Sequence, residues 1–382
     1  MRIVLAPDKF KDCLSAVHVA QAMAAGVRRA RPDVQIDCCP MADGGEGTVA
    51  ALVAATAGRI ETRRVTGPLA EMKVDAAFGI LGDGRTAVIE MAAAAGLSLL
   101  KPTDRDPMRT TTFGVGQLLM AAAQMGVSDI ILGIGGSATI DGGIGCAQAC
   151  DLPVILEDGQ PVAPGEPLVG ADLPRVVLIK HGRGSPVEKL RIIVAADVTN
   201  PLCGPNGAAV VYGPQKGATP DQIKFLDAAL LQLTKRTGKM DFAALPGAGA
   251  AGGMGFAMAA FFGATLRPGI DIVIDATHLR DRLRGADLCL SGEGRLDRQS
   301  LAGKTVVGVA RLCQEMAVPC IAIAGSVEDG LDALAIGAIA LHAIRDGHMT
   351  MEESKSRATE LIEAKTAQII AAGASPRSGA SG

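Results

Sequence analysis

The chain has no tryptophan, one tyrosine and eight phenylalanines. A protein that reads single-stranded nucleic acid stacks bases on exposed rings, and nine rings in 382 residues are too few. A basic excess is missing as well: 37 Lys and Arg stand against 40 Asp and Glu, a formal net charge of −3. A polyanion partner normally needs the opposite balance, so an anion bound here must meet a local cluster or backbone N–H groups. No two of the nine cysteines are spaced C-x-x-C, and the five histidines are scattered, which leaves no zinc pattern. The first apolar run, residues 3–6, is too short for a secretory h-region. Free, mostly buried thiols in a reducing cytoplasm are therefore expected. The longest uncharged stretch, residues 245–266, has enough residues to span a bilayer, but Pro246 and its many glycines point to buried loop and helix. No membrane segment is expected.

Glycine is what the chain has in excess, 48 of 382 residues against a usual share of about 7%. Hydrophobic residues make up 48% and charged residues 20%, a globular balance, and the length suits two domains. Glycine in such number, without an internal repeat, suits loops where backbone comes close to a ligand.

Residues 2–6 read as a strand, followed by a polar loop. Ser15 can cap a helix running to about Ala30, with Val19, Met23 and Val27 on one face and Pro32 just past its end. Val34, Ile36 and Cys38 alternate with polar residues, a half-buried strand, and residues 48–57 read as a helix. The same grammar returns near the C-terminus: strands at 287–291, 319–324 and 336–341, and helices at 304–316 and 352–371. Between these ends lie paired strands at 74–81 and 86–91, further strands at 130–134 and 191–196, and several glycine loops. The expected fold class is α/β with two domains. A Rossmann-like parallel-sheet domain is formed by both chain ends (1–62 and 286–372), an α/β domain is inserted at 63–285, and 373–382 is a flexible tail.

Ligands of parallel α/β sheets bind beyond the carboxyl ends of the strands. There the sequence places Asp8, Lys9 and Lys11, then Asp43 to Gly47, then Glu293, Arg295 and Asp297, then Gly325 and Ser326. Carboxylates, cations and glycines thus arrive together at four strand ends. Gly133-Ile134-Gly135-Gly136-Ser137-Ala138-Thr139, followed by Asp141-Gly142-Gly143, comes directly after a strand and suits an anion nest reinforced by a helix N-terminus. Gly247-Ala248-Gly249-Ala250-Ala251-Gly252 fits G-x-G-x-x-G but lacks the preceding strand that the dinucleotide fingerprint requires. Gly303-Lys304-Thr305 resembles the end of a P-loop, yet Arg298 stands where that pattern needs glycine. Asp197, at the end of an apolar strand and before Asn200-Pro201, is either a turn former or a general base. Lys216 adds a cation in a tight turn.

Taken together, residues 6–11 (Ala-Pro-Asp-Lys-Phe-Lys), 42–48, 135–139, Asp197 with Asn200-Pro201-Leu202, 213–218, 246–253 and 291–297 closely resemble the bacterial type I glycerate kinases. The likeness runs in order from residue 2 to about 370. It implies ATP-dependent phosphorylation of D-glycerate, usually to 2-phosphoglycerate, with Mg²⁺, in a cleft between the two domains. Two departures stand out: Ile140 where the family commonly has Asn, and an atypical stretch at 171–189.

Phosphoryl transfer asks of a protein chiefly positioning and charge neutralisation. On this resemblance Asp197 and Lys11 are expected to be catalytic, with Asp197 orienting or deprotonating the glycerate hydroxyl. Asp8, Lys9, Arg295 and Asn200 are expected to bind substrate. Gly135, Gly136, Ser137, Lys216, Gly249, Gly252 and Gly253 are expected around the nucleotide, and Asp43, Glu293 and Asp297 around the metal. The partners are then ATP and a small acid, with no nucleic acid and no membrane, and with room left for a homodimer. The rival expectation, resting on the G-x-G-x-x-G, is a nicotinamide-dependent oxidoreductase of a small hydroxy acid.

Overall fold

A computed structural model of the chain describes residues 1–162, 165–180, 184–298, 300, 304–345 and 348–373. Of the expected tail, everything beyond Gly373 lies outside the described residues, as does Gly303. The chain divides into two compact units. The first takes Met1–Asp43, Ala50–Ala57 and the residues from Ile270 on; the second takes Gly44–Val49 and Gly58–Gly269. Both divisions differ from the expected cuts at 62 and 286. The strand Arg59–Thr66 runs through the first cut and pairs antiparallel with Lys73–Ile80 along its whole length, so it cannot be shared between two bodies. Residues 270–285 pack with the first unit, where Arg282 bonds to Asp37 and to the carbonyl of Ala55.

In the first unit the strands Ala340–Ala343, Cys320–Val327, Leu288–Leu296, Arg2–Leu5 and Gln35–Cys38 lie in that order in one sheet, every neighbouring pair parallel. Alternation along the strands sends Ile3, Leu5, Leu288, Leu290, Ile321 and Ile323 to one face, where they pack with Val19, Met23 and Val27 of the helix Ala16–Ala30 and with Ile362 and Ile369 of Ala358–Ala371. Cys289 and Cys320, one residue out of phase, face the other side. There their thiols come within 4.8 Å of Cys313 on the helix Thr305–Glu315, so that helix covers the second face. A parallel sheet buried on both faces is the Rossmann-like layering. All nine cysteines are free and six of them are buried.

Ser15 caps the helix Ala16–Ala30 as expected, accepting from the N–H of His18. Three boundaries differ. The strand Leu288–Leu296 is longer than the 287–291 expected, because its pairing with Cys320–Val327 continues through Arg295 and Ser326. The strand expected at 336–341 is Ala340–Ala343, preceded by a short turn of helix at Leu334–Ile336. The long helix expected at 352–371 is broken at Arg357 into Met351–Ser356 and Ala358–Ala371.

The second unit is built on a six-stranded sheet in the order Thr265–Arg267, Arg191–Ala195, Asp129–Gly133, Thr86–Glu90, Lys73–Ile80, Arg59–Thr66. The first four strands are mutually parallel and the last two antiparallel. Inward residues such as Phe78, Ile89, Leu132 and Val194 form its core. The apolar stretch at 245–266 yields the helix Met254–Phe262, buried almost throughout, and no described helix is long and apolar enough to cross a membrane.

Candidate active site

Each unit carries a set of functional side chains at the carboxyl edge of its own parallel strands. In the second unit Gly133 and Ala195 are direct partners at the ends of adjacent strands, so residues 134–137 and Asp197 leave the sheet side by side. Glu90, at the end of the next strand, pairs with Gly133. The segment at 44–49 lies across this edge: a Cβ built on Gly133 would stand 2.2 Å from the carbonyl oxygen of Gly44, and one on Gly44 would stand 2.4 Å from the Cβ of Ala195. Glu90 fixes it by accepting from the N–H of Val49 at 2.8 Å.

The turn at 135–137 has the features of an anion nest. Gly135 and Gly136 are exposed, and Gly136 holds φ +72°, a left-handed value that glycine adopts freely. The turn is tied down through its other groups. Leu97 N–H donates to the carbonyl of Gly136 at 2.8 Å, and Ala138 N–H donates to that of Ala95 at 2.8 Å. Among the described residues, the N–H groups of Gly135, Gly136 and Ser137 donate to no protein acceptor. Three successive unspent donors on a turn with two exposed glycines form the kind of backbone cradle that suits an anion. The expected helix does not follow directly. It starts only at Ile144, after Asp141 has turned inward to accept from Thr112 and from the Gly143 N–H.

The loop at 247–253 is a different object, and the expectation that it cradles phosphates is corrected. Its glycines are buried against the protein's own backbone: a Cβ on Gly249 would stand 2.2 Å from the carbonyl oxygen of Pro201, and one on Gly252 would stand 1.9 Å from that of Thr139. A Cβ on Gly253 would stand 2.8 Å from Gly142 Cα. The N–H groups of Ala248, Gly249, Ala250 and Gly253 are all spent on protein carbonyls. Gly249, Gly252 and Gly253 are packing residues, and the basis for a dinucleotide fingerprint goes with them.

Asp197 is exposed, and its Oδ1 accepts from the N–H of Gly269 at 2.7 Å, which orients the carboxylate. The Asn200 side chain is engaged within its own loop. Its amide donates to the Asn206 carbonyl at 2.9 Å and accepts from the Tyr212 hydroxyl at 2.7 Å. Lys216 does not reach outward either: it is only 2% exposed, and Nζ donates to Ser137 Oγ and to the Thr139 carbonyl, both at 2.7 Å. Ile140 sits in the apolar core, so the departure at that position changes packing.

In the first unit the chain past Leu5 continues along the neighbouring strand. Asp8 N–H donates to the Gly292 carbonyl, and Met41 N–H donates to that of Pro7. Asp8, Asp43 and Glu293 are thereby gathered at one edge. Asp8, expected to bind substrate, already has both oxygens engaged within the protein: Oδ1 accepts from the Lys9 N–H at 2.6 Å, and Oδ2 accepts from Thr305 Oγ1 at 2.5 Å. Burial, followed by repulsion from Asp43, pushes its carboxyl up to about 6. Burial likewise pushes Glu293 up to about 7, with the charges of Asp8 and Asp297 adding to it. Glu293 Oε1 is buried without a hydrogen-bond partner. Arg295 and Asp297 pair with each other at 3.4 Å, and Asp297 also accepts from Ser300. Lys9 is half-buried and Lys11 is exposed at this edge. Asp43, Glu293 and Asp297 do not converge as a ready three-carboxylate cage: among the described residues only the three core thiols bring potential ligand atoms within 4.8 Å.

Glu90, Thr305 and Gly269 escape the sequence reading. The criterion that selects Asp197, an acid ending an apolar strand, also fits Glu90. Thr305 lies within the failed P-loop match. The Gly269 N–H has no sequence signal.

Comparison with known proteins adds an independent finding. The family model described as "Glycerate kinase family" matches residues 3–373. A "Glycerate kinase" from Haemophilus influenzae is 46% identical over 336 residues, 87% of this chain and 88% of its own. A "Glycerate 2-kinase" from Escherichia coli is 46% identical over 348 residues, 90% and 89% of the two chains. A crystal structure from Salmonella typhimurium LT2, described as a candidate glycerate kinase 2, superposes with a TM-score of 0.87 at 45% identity and covers 97% of this chain and 98% of its own.

Proposed function

The chain belongs to the glycerate kinase family, and from that premise we propose that it transfers the γ-phosphoryl group of ATP to D-glycerate, giving 2-phosphoglycerate. The observation that carries this reading is the second unit's sheet edge, where three unspent N–H donors at 135–137 stand beside an oriented carboxylate, Asp197. Donors of that kind suit a triphosphate. A rigidly held acid next to them suits the hydroxyl that attacks it. In this reading Asp197 accepts the hydroxyl proton, and Lys9, Lys11 or Arg295 receives the substrate carboxylate. A charge-assisted contact of that type contributes roughly 1.5–3 kcal/mol.

The first unit's acids suit Mg²⁺. A buried carboxylate oxygen without a partner, on a side chain that burial and neighbouring acids push toward protonation, gains most from a cation. Glu293 and Asp43 would hold it, and when bound it neutralises phosphate charge. Glu293→Gln should raise the Mg²⁺ concentration that gives half-maximal rate about tenfold or more, measured by titrating Mg²⁺ at saturating ATP. An unchanged titration removes Glu293 from this role.

The family supports the kinase and lends nothing to the oxidoreductase alternative. One experiment tests the proposal: D-glycerate with ATP, and in parallel with NAD, followed by ³¹P NMR of the product. Glycerate-dependent ADP and a phosphate ester on C2 are expected. An ester on C3 overturns the regiochemistry, and NAD reduction without ADP overturns the kinase.

A further inference from the structure

A lysine with its ammonium wholly inside a protein is rare, because the charge loses its hydration. Lys216 is such a residue, in the short turn Pro214–Lys216, and it spends its donors on Ser137 Oγ and the Thr139 carbonyl, the two residues that close the glycine turn. Ala138 is tied separately, its N–H to the Ala95 carbonyl and its own carbonyl to Thr110 Oγ1, while Thr139 Oγ1 is buried without a partner, so Lys216 supplies the ties to the Ser137 hydroxyl and the Thr139 carbonyl. Asp141 is the charged group acting on the ammonium. It is fully buried, and its oxygens are taken by Thr112 and by the Gly143 N–H.

We infer that Lys216 is a positioning residue for the phosphate turn: anchored inside the protein, its ammonium holds Ser137 and Thr139 so that the N–H groups of 135–137 stay turned outward, and it places a positive charge behind them. This rests on the reading that the turn binds ATP phosphates. It also replaces the expectation that Lys216 touches the nucleotide itself. Ser137 is then a link between a buried charge and an exposed donor set, which explains a hydroxyl residue there when two glycines precede it.

The charge can be switched by pH. Burial lowers Lys216 to about 7, opposed by Asp141. Below that value the ammonium is present; above it a neutral amine still donates to Ser137 and Thr139, but the field behind the turn is gone. Because the folded value lies below the usual 10.5, the unfolded chain holds this proton more tightly between about pH 7 and 10.5, and folding stability rises with pH across that window.

The test uses the full chain, its Lys216→Met variant and Ser137→Ala, which leaves the buried lysine in place and guards against a Met variant that does not fold. Lys216→Met should raise the KM for ATP about tenfold or more with a smaller change in kcat, and Ser137→Ala should raise it about threefold. Wild-type KM for ATP should climb at least threefold from pH 6.5 to 9, while the Met variant shows no such rise. The wild type should also gain melting temperature relative to the Met variant from pH 7 to 9. Hydrogen exchange separates the two layers of the argument. ATP should protect the peptide covering 134–140 in the wild type, and the same peptide should exchange faster in Lys216→Met. No protection in the wild type overturns the phosphate-turn reading and this inference together. Protection in the wild type, with a Met variant that matches it in KM, pH profile and exchange, overturns the role of Lys216 alone.

Discussion

Asp197→Asn lowers kcat by about 10²–10⁴-fold and changes the KM for ATP by less than about threefold. The substitution is nearly isosteric, and the amide oxygen can keep the 2.7 Å bond from the Gly269 N–H, so the loop stays as it is. What goes is the anionic oxygen that the proposed mechanism uses to take a proton. In the proposed reading the ATP phosphates meet residues 135–137, on the adjacent strand end, and do not depend on that charge. Steady-state kinetics that follow ADP at varied ATP and at varied D-glycerate check both halves. Activity surviving within about threefold removes Asp197 from the chemistry. A large loss in ATP binding makes it a nucleotide residue.

Gly252→Ala destabilises the protein by about 3 kcal/mol or more. Two costs add. Gly252 holds φ +70°, and a methyl there would stand 1.9 Å from the Thr139 carbonyl oxygen and 2.7 Å from Ile140 Cα, both backbone atoms that cannot swing aside. Gly238→Ala is the matched control: φ is +68° with nothing within 4 Å of the new methyl, so it pays only the left-handed strain, about 1 kcal/mol. Thermal or urea melts of the pair should separate by about 2 kcal/mol. Equal melts would return 247–253 to the status of an open loop. Because Thr139 and Ile140 continue the segment that Lys216 anchors, loss of ATP affinity should accompany the loss of stability.

Much of the first unit was legible because its signals are local. The helix Ala16–Ala30 carries a cap, a periodic apolar face and a proline beyond its end, and the short apolar strands are bounded by polar loops. What failed there depends on neighbours. Glu293 and Arg295 read as loop because glycines flank them, yet the parallel partner Cys320–Val327 extends the strand beneath them. The break at Arg357 has no glycine or proline to announce it.

The candidate site divides in the same way. Two glycine-rich segments, 133–143 and 247–253, look alike in sequence, since glycine serves close approach to a ligand and close approach to another backbone equally well. Only the partners of their N–H groups tell them apart. Lys216 shows the opposite failure. A lysine in a Gly-flanked turn is ordinarily solvated, and nothing local reveals that Ser137, 79 positions away, accepts its hydrogen bond. Nor does the sequence reveal that Tyr212 and Asn206 bond to the Asn200 side chain within its own loop.

The account is tested most directly by a crystal structure of the chain with a non-hydrolysable ATP analogue and D-glycerate. It predicts phosphate oxygens about 3 Å from the backbone nitrogens of Gly135, Gly136 and Ser137, and the reacting glycerate hydroxyl about 3 Å from a carboxylate oxygen of Asp197. A triphosphate lodged at 247–253, or a hydroxyl facing a different acid, would contradict it.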